Sequence, residues 1–342
     1  MMVAPPGLSH RRVIIVGAGQ AGLAVAAALR AEGLQPQHDF IVIDGAPNLH
    51  LRSWRDRRAT LELLSDARHS AFPWRPLPGD QRRRVQADEM ADYLSAVEAA
   101  LGVETRWNVR ATSVEHSGSG TTLLLSTSEG TVQTRNVVCA TGGASRPAIP
   151  SWAAYLATPG IVIHSHDLRS PDQIPRGDVL IVGGGNTGVH LAHELAATHR
   201  VTLATRTPRV TRKGRGRAPR AGRPLWFAPR ASRREPVHGP NLATLRRSGV
   251  TLASGVIDAD GARVRFADDS VASPTSVVLA TGYHPGDEWL GGVAPHSRRA
   301  TLTDVPGLFV AGMPRFGRPD SATIAGAWND ATIIAQHIAG RP

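Results

Sequence analysis

Residues 13–29 read VIIVGAGQAGLAVAAAL, and this stretch decides the fold. Four β-branched residues predict a short buried strand. Gly17, Gly19 and Gly22 follow at fingerprint spacing, and an apolar helical pattern opens behind them. In that setting each glycine has a task. The first permits a tight turn, the second lets the backbone approach a pyrophosphate, and the third lets helix and strand pack closely. The helix start then offers free N–H groups and a partial positive charge to an anion.

Working outward, the pattern recurs at residues 179–195, VLIVGGGNTGVHLAHEL, with Gly183, Gly185 and Gly188. One copy predicts one dinucleotide. Two copies predict two nucleotides on one chain, and hence electron transfer between them. The expected fold class is α/β, with two Rossmann-like dinucleotide-binding domains, the second inserted into the first. The expected boundaries are 1–147 and 278–342 for the first domain and 148–277 for the inserted one.

The two downstream strand ends differ in charge, which assigns the ligands. A strand over 40–43 ends in Asp44, whose carboxylate accepts from ribose hydroxyls and repels a 2′-phosphate. A strand over 201–205 is followed by Arg206, with Arg209 and Arg212 nearby. A guanidinium suits a 2′-phosphate through charge-assisted paired bonds. FAD is therefore expected in the first domain and NADPH in the second. The backbone cradles are Gly17, Ala18, Gly19, Gln20, Ala21 and Gly22, and Gly183, Gly184, Gly185, Asn186, Thr187 and Gly188.

Other elements are read more coarsely. Residues 45–86 suggest irregular chain with short helices, and 87–101 a helix. Runs 103–114, 121–126 and 131–138 suggest a small antiparallel layer. Runs 251–256 and 262–266 suggest another pair, and 322–338 a closing helix. Residues 206–240, rich in Arg, Pro and Gly, read as an exposed excursion.

With 342 residues, 41% hydrophobic and 20% charged, the chain has a globular composition rather than a disordered one. Its net charge is +11, yet Lys213 is the only lysine among 39 basic residues, which points to genome composition. No aromatic-basic module suggests nucleic acid. Arg11-Arg12 ahead of an apolar stretch imitates a twin-arginine signal, but the glycine spacing and its recurrence at 179 favour the nucleotide reading. No other apolar run approaches membrane-spanning length. Cys139 is the only cysteine, which fits a reducing, cytoplasmic compartment. His190 and His193 share a helix face but lack a third ligand pattern.

The chain resembles the two-dinucleotide-binding-domain flavoproteins, and among them the flavin-containing monooxygenases. GGGNTGVHLAHEL at 183–195, LATGY at 279–283 and SWRD at 53–56 carry the likeness. The resemblance implies that Thr141-Gly142 and Thr281-Gly282 mark chain crossings and that Tyr283 lies beside them. It implies that Gly312 and Met313 lie by the FAD ribityl and pyrophosphate, and that Ala322-Thr323 start a helix aimed at the flavin. It also implies Trp54 and Arg55 beside the flavin and Arg110-Ala111 at the adenine. The activity implied is NADPH-dependent monooxygenation, in which one oxygen atom passes from a flavin peroxide to a small-molecule substrate. Molecular oxygen is the second partner, and a homodimer is compatible.

Departures matter for the reaction. Gly160 and His164 match the monooxygenase fingerprint, but Thr158 and Leu168 replace its aromatics. Ser65-Asp66, ahead of Phe72-Pro73, stands where that family has Thr-Asn. Asp66 and Trp54 are thus the candidate catalytic residues, although Asp66 could simply pair with Arg68. Trp54, Trp74, Trp226 and Trp328 are either core or pocket. The alternative function is a reductase passing electrons to a quinone or protein. A route through a redox-active cysteine pair is closed to a chain with one cysteine.

Overall fold

The computed structural model describes Leu8 and residues 11–55, 57–58, 60–117, 122–206, 238–293 and 301–340. The chain forms two compact units. The first comprises Met1–Asp56, Leu61–Ser145 and Pro285–Pro342; the second comprises Arg57–Thr60 and Arg146–His284.

The first unit is built on a four-stranded parallel sheet in the order Leu308–Val310, Asn136–Cys139, Val13–Val16, Phe40–Ile43. All four strands are buried along their whole length. That burial explains why they read as unbroken apolar runs rather than alternating ones. Helix α1 (Gln20–Ala31) follows the first strand and buries an alanine-rich face. Helix α2 (Ala87–Leu101) ends at Gly102, whose φ of 63° is left-handed. The core of this unit runs from Val13 and Ile15 through Leu23, Val25 and Leu29 to Ala327 and Ile334. A three-stranded antiparallel layer (Ala111–His116, Leu123–Thr127, Gly130–Thr134) adds a second cluster.

The second unit repeats the plan with five parallel strands in the order Val162–His164, Ser276–Leu279, Asp178–Val182, Arg200–Ala204, Thr251–Ala253. Helix α3 (Asn186–Leu195) follows the central strand, and a short helix α4 (Leu242–Arg247) precedes the edge strand. An antiparallel layer of Val256–Asp260, Arg263–Phe266 and Val271–Ala272 completes it. The last helix, α5 (Ile324–Ala339), returns to the first unit.

Several expectations shift. The return strand Ser276–Leu279 pairs with Asp178–Val182, so the second unit runs to His284 rather than 277. The expected strand 131–138 is two strands. Gly130–Thr134 closes the antiparallel layer, and Asn136–Cys139 joins the parallel sheet. Residues 103–110 are not strand; only an isolated bridge, Ile43 to Arg106, ties them to the sheet. Within 45–86 the chain adds a strand pair, Glu62–Asp66 with Arg84–Gln86, which the composition hid. No helix among the described residues is long and apolar enough to cross a membrane.

Candidate dinucleotide sites

Each fingerprint turn sits at the carboxyl end of its central strand, where open parallel sheets place ligands. In the first unit Gly17 has φ 113°, a region that L side chains rarely adopt. A β-carbon there would meet Ala140 O at 2.4 Å, and one on Gly22 would meet Gly17 O at 1.8 Å. These two glycines are demanded by the protein itself. Gly19 differs, because a β-carbon on it would find nothing within 4 Å. The space before it is open, and Gly19 caps α1 with no side-chain hydrogen bond. The first-turn N–H groups of α1 therefore face that space unfilled by any side-chain cap. This is the cradle a pyrophosphate requires.

Asp44 closes the same turn. Its Oδ2 accepts from Ala18 N at 2.7 Å and its Oδ1 from Ala46 N at 2.7 Å. A carboxylate has about four acceptor positions, so ribose hydroxyls can still be received. Residues 104–110 run alongside: Asp44 N donates to Arg106 O, and Val109 N donates to Asp44 O. The Arg110 guanidinium lies over Gly45, at 3.6 Å from where its β-carbon would be. Ala111 starts the strand that follows.

A second group of predicted residues converges on the same helix start. Trp54 Nε1 donates to Gln20 Oε1 at 3.1 Å, and Gln20 Nε2 donates to Ala322 O at 2.6 Å. Thr323 caps α5, its Oγ1 accepting from Gly326 N at 3.0 Å. Gly312 (φ 75°) packs on Ala21, whose Cβ would lie 2.5 Å from a β-carbon there, and Met313 is buried beside it. Thr141 Oγ1 donates to Gly286 O, and Gly142 takes φ 79°.

Two predicted residues have protein partners of their own. Arg55 forms an ion pair with Asp92 of α2. Asp66 bonds His69 rather than Arg68: its Oδ1 lies 2.5 Å from His69 Nδ1 and accepts from His69 N at 3.1 Å. Burial raises the Asp66 pKa, but the His69 hydrogen bonds outweigh it and hold the carboxyl below its ordinary value.

In the second unit Gly183 (φ 122°) faces Ala280 O, and Gly188 faces Gly183 O, at 2.2 and 1.7 Å from the β-carbons they lack. Gly184 makes room for Thr205 Oγ1, and Gly185 caps α3 without a side-chain bond. Asn186 Oδ1 accepts from His238 N at 2.6 Å, and Thr187 is exposed. Arg206 follows the second strand, exposed and with no ion pair among the described residues. Gly255 lets it approach, since a β-carbon there would meet Arg206 Cγ at 2.7 Å. Arg209, Arg212, Trp226 and most of 206–240 lie outside the described residues.

Thr281 Oγ1 donates to Ala148 O at 2.6 Å. Gly282 O receives His164 Nε2 at 3.1 Å, and Tyr283 OH receives Arg57 Nη1 at 3.3 Å. His190 contacts His238 O and His193 contacts Ser248 Oγ. Sequence reasoning overlooked Arg57, the buried pair Arg52–Glu98, and Asp330 on α5. Only Asp330 left a signal, a charge in an otherwise apolar helical stripe.

Comparison with known proteins follows this geometry. The model of the pyridine nucleotide-disulphide oxidoreductase family matches residues 14–312. The chain belongs to that family. It is an oxidoreductase. The oxidoreductase CzcO of Bacillus subtilis strain 168 is 27% identical over 358 residues, covering 96% of this chain and 99% of that protein. Indole-3-pyruvate monooxygenase YUCCA1 of Oryza sativa is 29% identical over 184 residues, 53% of this chain and 44% of that one. Among solved structures, a flavin-containing monooxygenase from Stenotrophomonas maltophilia superposes with TM-score 0.75 at 22% identity, covering 95% of this chain and 97% of the other. A bacillithiol disulfide reductase from Bacillus cereus gives 0.72 at 20%, covering 97% and 99%. Both superpositions show the fold. Against the family's disulphide chemistry stands the chain's single thiol, Cys139, which is buried and whose pKa burial pushes up to about 11.

Proposed function

We propose that this oxidoreductase is an NADPH-dependent flavoprotein monooxygenase. One observation carries the reading. Two uncapped helix starts, each behind a glycine turn, occur in a chain that holds no second cysteine to receive electrons. The names of relatives similar to this chain, an indole-3-pyruvate monooxygenase and a flavin-containing monooxygenase, support oxygen as the acceptor.

FAD, held in the first unit, would supply hydride acceptance and oxygen activation. Gly17, Ala18, Gly19 and the α1 N–H groups receive its pyrophosphate, and Asp44 its ribose. Gln20 holds Trp54 and Ala322 together, which fixes the wall against which a flavin would lie. Thr323 completes α5, whose positive N-terminal end favours negative charge developing beside it. In the second unit Gly183, Gly185 and Gly188 receive the NADPH pyrophosphate, and Arg206 the 2′-phosphate. The overall balance is NADPH, a proton, oxygen and substrate going to NADP⁺, water and oxygenated substrate. The substrate is a small molecule oxidised at nitrogen, sulfur or beside a ketone.

One observation favours a second reading, a reductase serving a quinone or protein. Asp66, held ionised by His69, offers no donor hydrogen where the resemblance to the flavin-containing monooxygenases implies an amide. Rapid mixing separates the two. NADPH-reduced holoenzyme is mixed with oxygen, and the visible spectrum is followed. A lasting absorbing species, distinct from oxidised and reduced flavin, is the expected result. A single-step return to the oxidised spectrum overturns oxygenation and leaves the reductase.

A further inference from the structure

Asp330 is a carboxylate in the wrong place. It lies on α5 among Ala327, Ala331 and Ile334, and it is 1% exposed. Burying a carboxyl costs free energy unless hydrogen bonds or a proton compensate, so such a group calls for an account. Its Oδ2 accepts from Gly312 N at 3.2 Å. Neither its Oδ1 nor the fully buried Ser321 Oγ makes a hydrogen bond of good geometry among the described residues, although the Ser321 hydroxyl lies close enough to favour the ionised carboxyl. Gly317 closes over both. A β-carbon there would lie 2.1 Å from Ser321 Oγ and 3.1 Å from Asp330 Oδ2.

The group touched by Asp330 belongs to the dinucleotide site. Gly312 follows the strand Leu308–Val310, at the same carboxyl edge of the sheet as Gly17. It packs on Ala21 in the first turn of α1. Ser321 leads into Ala322, whose carbonyl Gln20 holds. The carboxyl thus ties α5 to the Gly312 turn and lies beside Ser321, which leads into the other segment flanking the cradle.

The geometry points to Asp330 as a positioning residue for the first-unit dinucleotide, one whose proton occupancy sets how tightly FAD is retained. This rests on the FAD reading above. Protonated, the carboxyl keeps Gly312 N–H on Oδ2 and can offer its own proton from Oδ1 to Ser321 Oγ. Ionised, it can accept from the Ser321 hydroxyl, but it sets a negative charge beneath the turn that receives an anionic cofactor. The charged groups acting on it are Asp320 and Arg318, on the segment entering α5. The Gly312 turn and α1 present it a backbone amide and alanines. Burial raises its pKa to about 6, with Asp320 adding to the rise and Ser321, the Gly312 amide and Arg318 opposing it.

The test measures FAD affinity of apoprotein by flavin fluorescence between about pH 5 and pH 8, beside the apoprotein melting temperature, across the window in which a carboxyl of this kind titrates. Wild type is expected to lose about tenfold in affinity across that range, the equivalent of one pKa unit of coupling. Asp330→Asn, which mimics the neutral carboxyl, should bind at the low-pH strength throughout and melt without that pH slope. Asp330→Ala should bind weakly at every pH, so that rescue by Asn separates positioning from mere packing. An Asp330→Asn protein that keeps the wild-type slope overturns the proposal while leaving the FAD reading intact. Apoprotein that takes up no flavin at any pH overturns the FAD reading, and the proposal with it.

Discussion

Gly22 lies so close to Gly17 that a β-carbon on it would stand 1.8 Å from the Gly17 carbonyl oxygen. Gly19, between them in sequence, has open space where its β-carbon would go. One fingerprint therefore holds glycines of two kinds. Gly22→Ala must push α1 off the first strand, and overpacking of this sort costs about 1–3 kcal/mol or more. Gly19→Ala should leave the denaturation midpoint close to wild type while lowering FAD affinity at least tenfold, because its methyl enters the pyrophosphate's space. Equal FAD affinity in Gly19→Ala, by equilibrium titration, would place the cofactor elsewhere.

Arg206 is exposed and free of ion pairs among the described residues, so its charge is available to a ligand. Charge-assisted hydrogen bonds contribute about 1.5–3 kcal/mol, so Arg206→Ala should raise the KM for NADPH by roughly 10- to 150-fold. The KM for NADH should barely change, since NADH carries no 2′-phosphate. Steady-state kinetics with both coenzymes decide the point, and parallel losses would remove the assignment.

What could be read in the chain was what local chemistry dictates. Gly17 and Gly183 need positive φ, and Gly22 and Gly188 need the absence of a β-carbon, so their spacing announces the turns directly. Residues 131–138 were opaque for the opposite reason. β-branched residues stand on both sides of Arg135-Asn136 with no Gly or Pro between them, and only the long-range partners of Asn136–Cys139 show that the chain changes sheets there. Asp66 was legible as a carboxylate near an aromatic segment, but its His69 partner depends on a turn that the residue types alone do not specify. Arg52 and Glu98 are 46 positions apart, and nothing in either neighbourhood signals the other.

That buried pair supports a stability prediction. Arg52 and Glu98 are 2% and 7% exposed, and Glu98 also receives the Thr105 hydroxyl. The Arg52 guanidinium lies 5.4 Å from the Trp107 ring centre. Removing one charge strands the other, which costs about 3–5 kcal/mol. Glu98→Ala should therefore lower the urea midpoint sharply, whereas Arg52→Met with Glu98→Met should recover much of the loss. A double variant as unstable as the single one would show that the pair contributes more than mutual neutralisation.

His164 gives the second unit a pH dependence with a definite sign. Its Nδ1 accepts from His166 N at 3.0 Å, so Nε2 carries the hydrogen donated to Gly282 O. Tyr283 packs edge-on against the ring, with centroids 5.2 Å apart. Burial lowers the His164 pKa, partly opposed by Gly282 O and Asp167. A proton on Nδ1 would lose the His166 amide and charge a buried ring. The folded pKa lies below the unfolded one, so the unfolded chain binds the proton first. The stability His164 contributes is complete above about pH 6.5, the unfolded value, and is lost as pH falls through the depressed folded value. NMR titration of the His164 ring should show a midpoint below that of an unstructured histidine. The urea midpoint should fall on acidification, and His164→Asn should lose that part of the slope. A ring that titrates at or above the free value would break the link between the Gly282 turn and this histidine's neutral form.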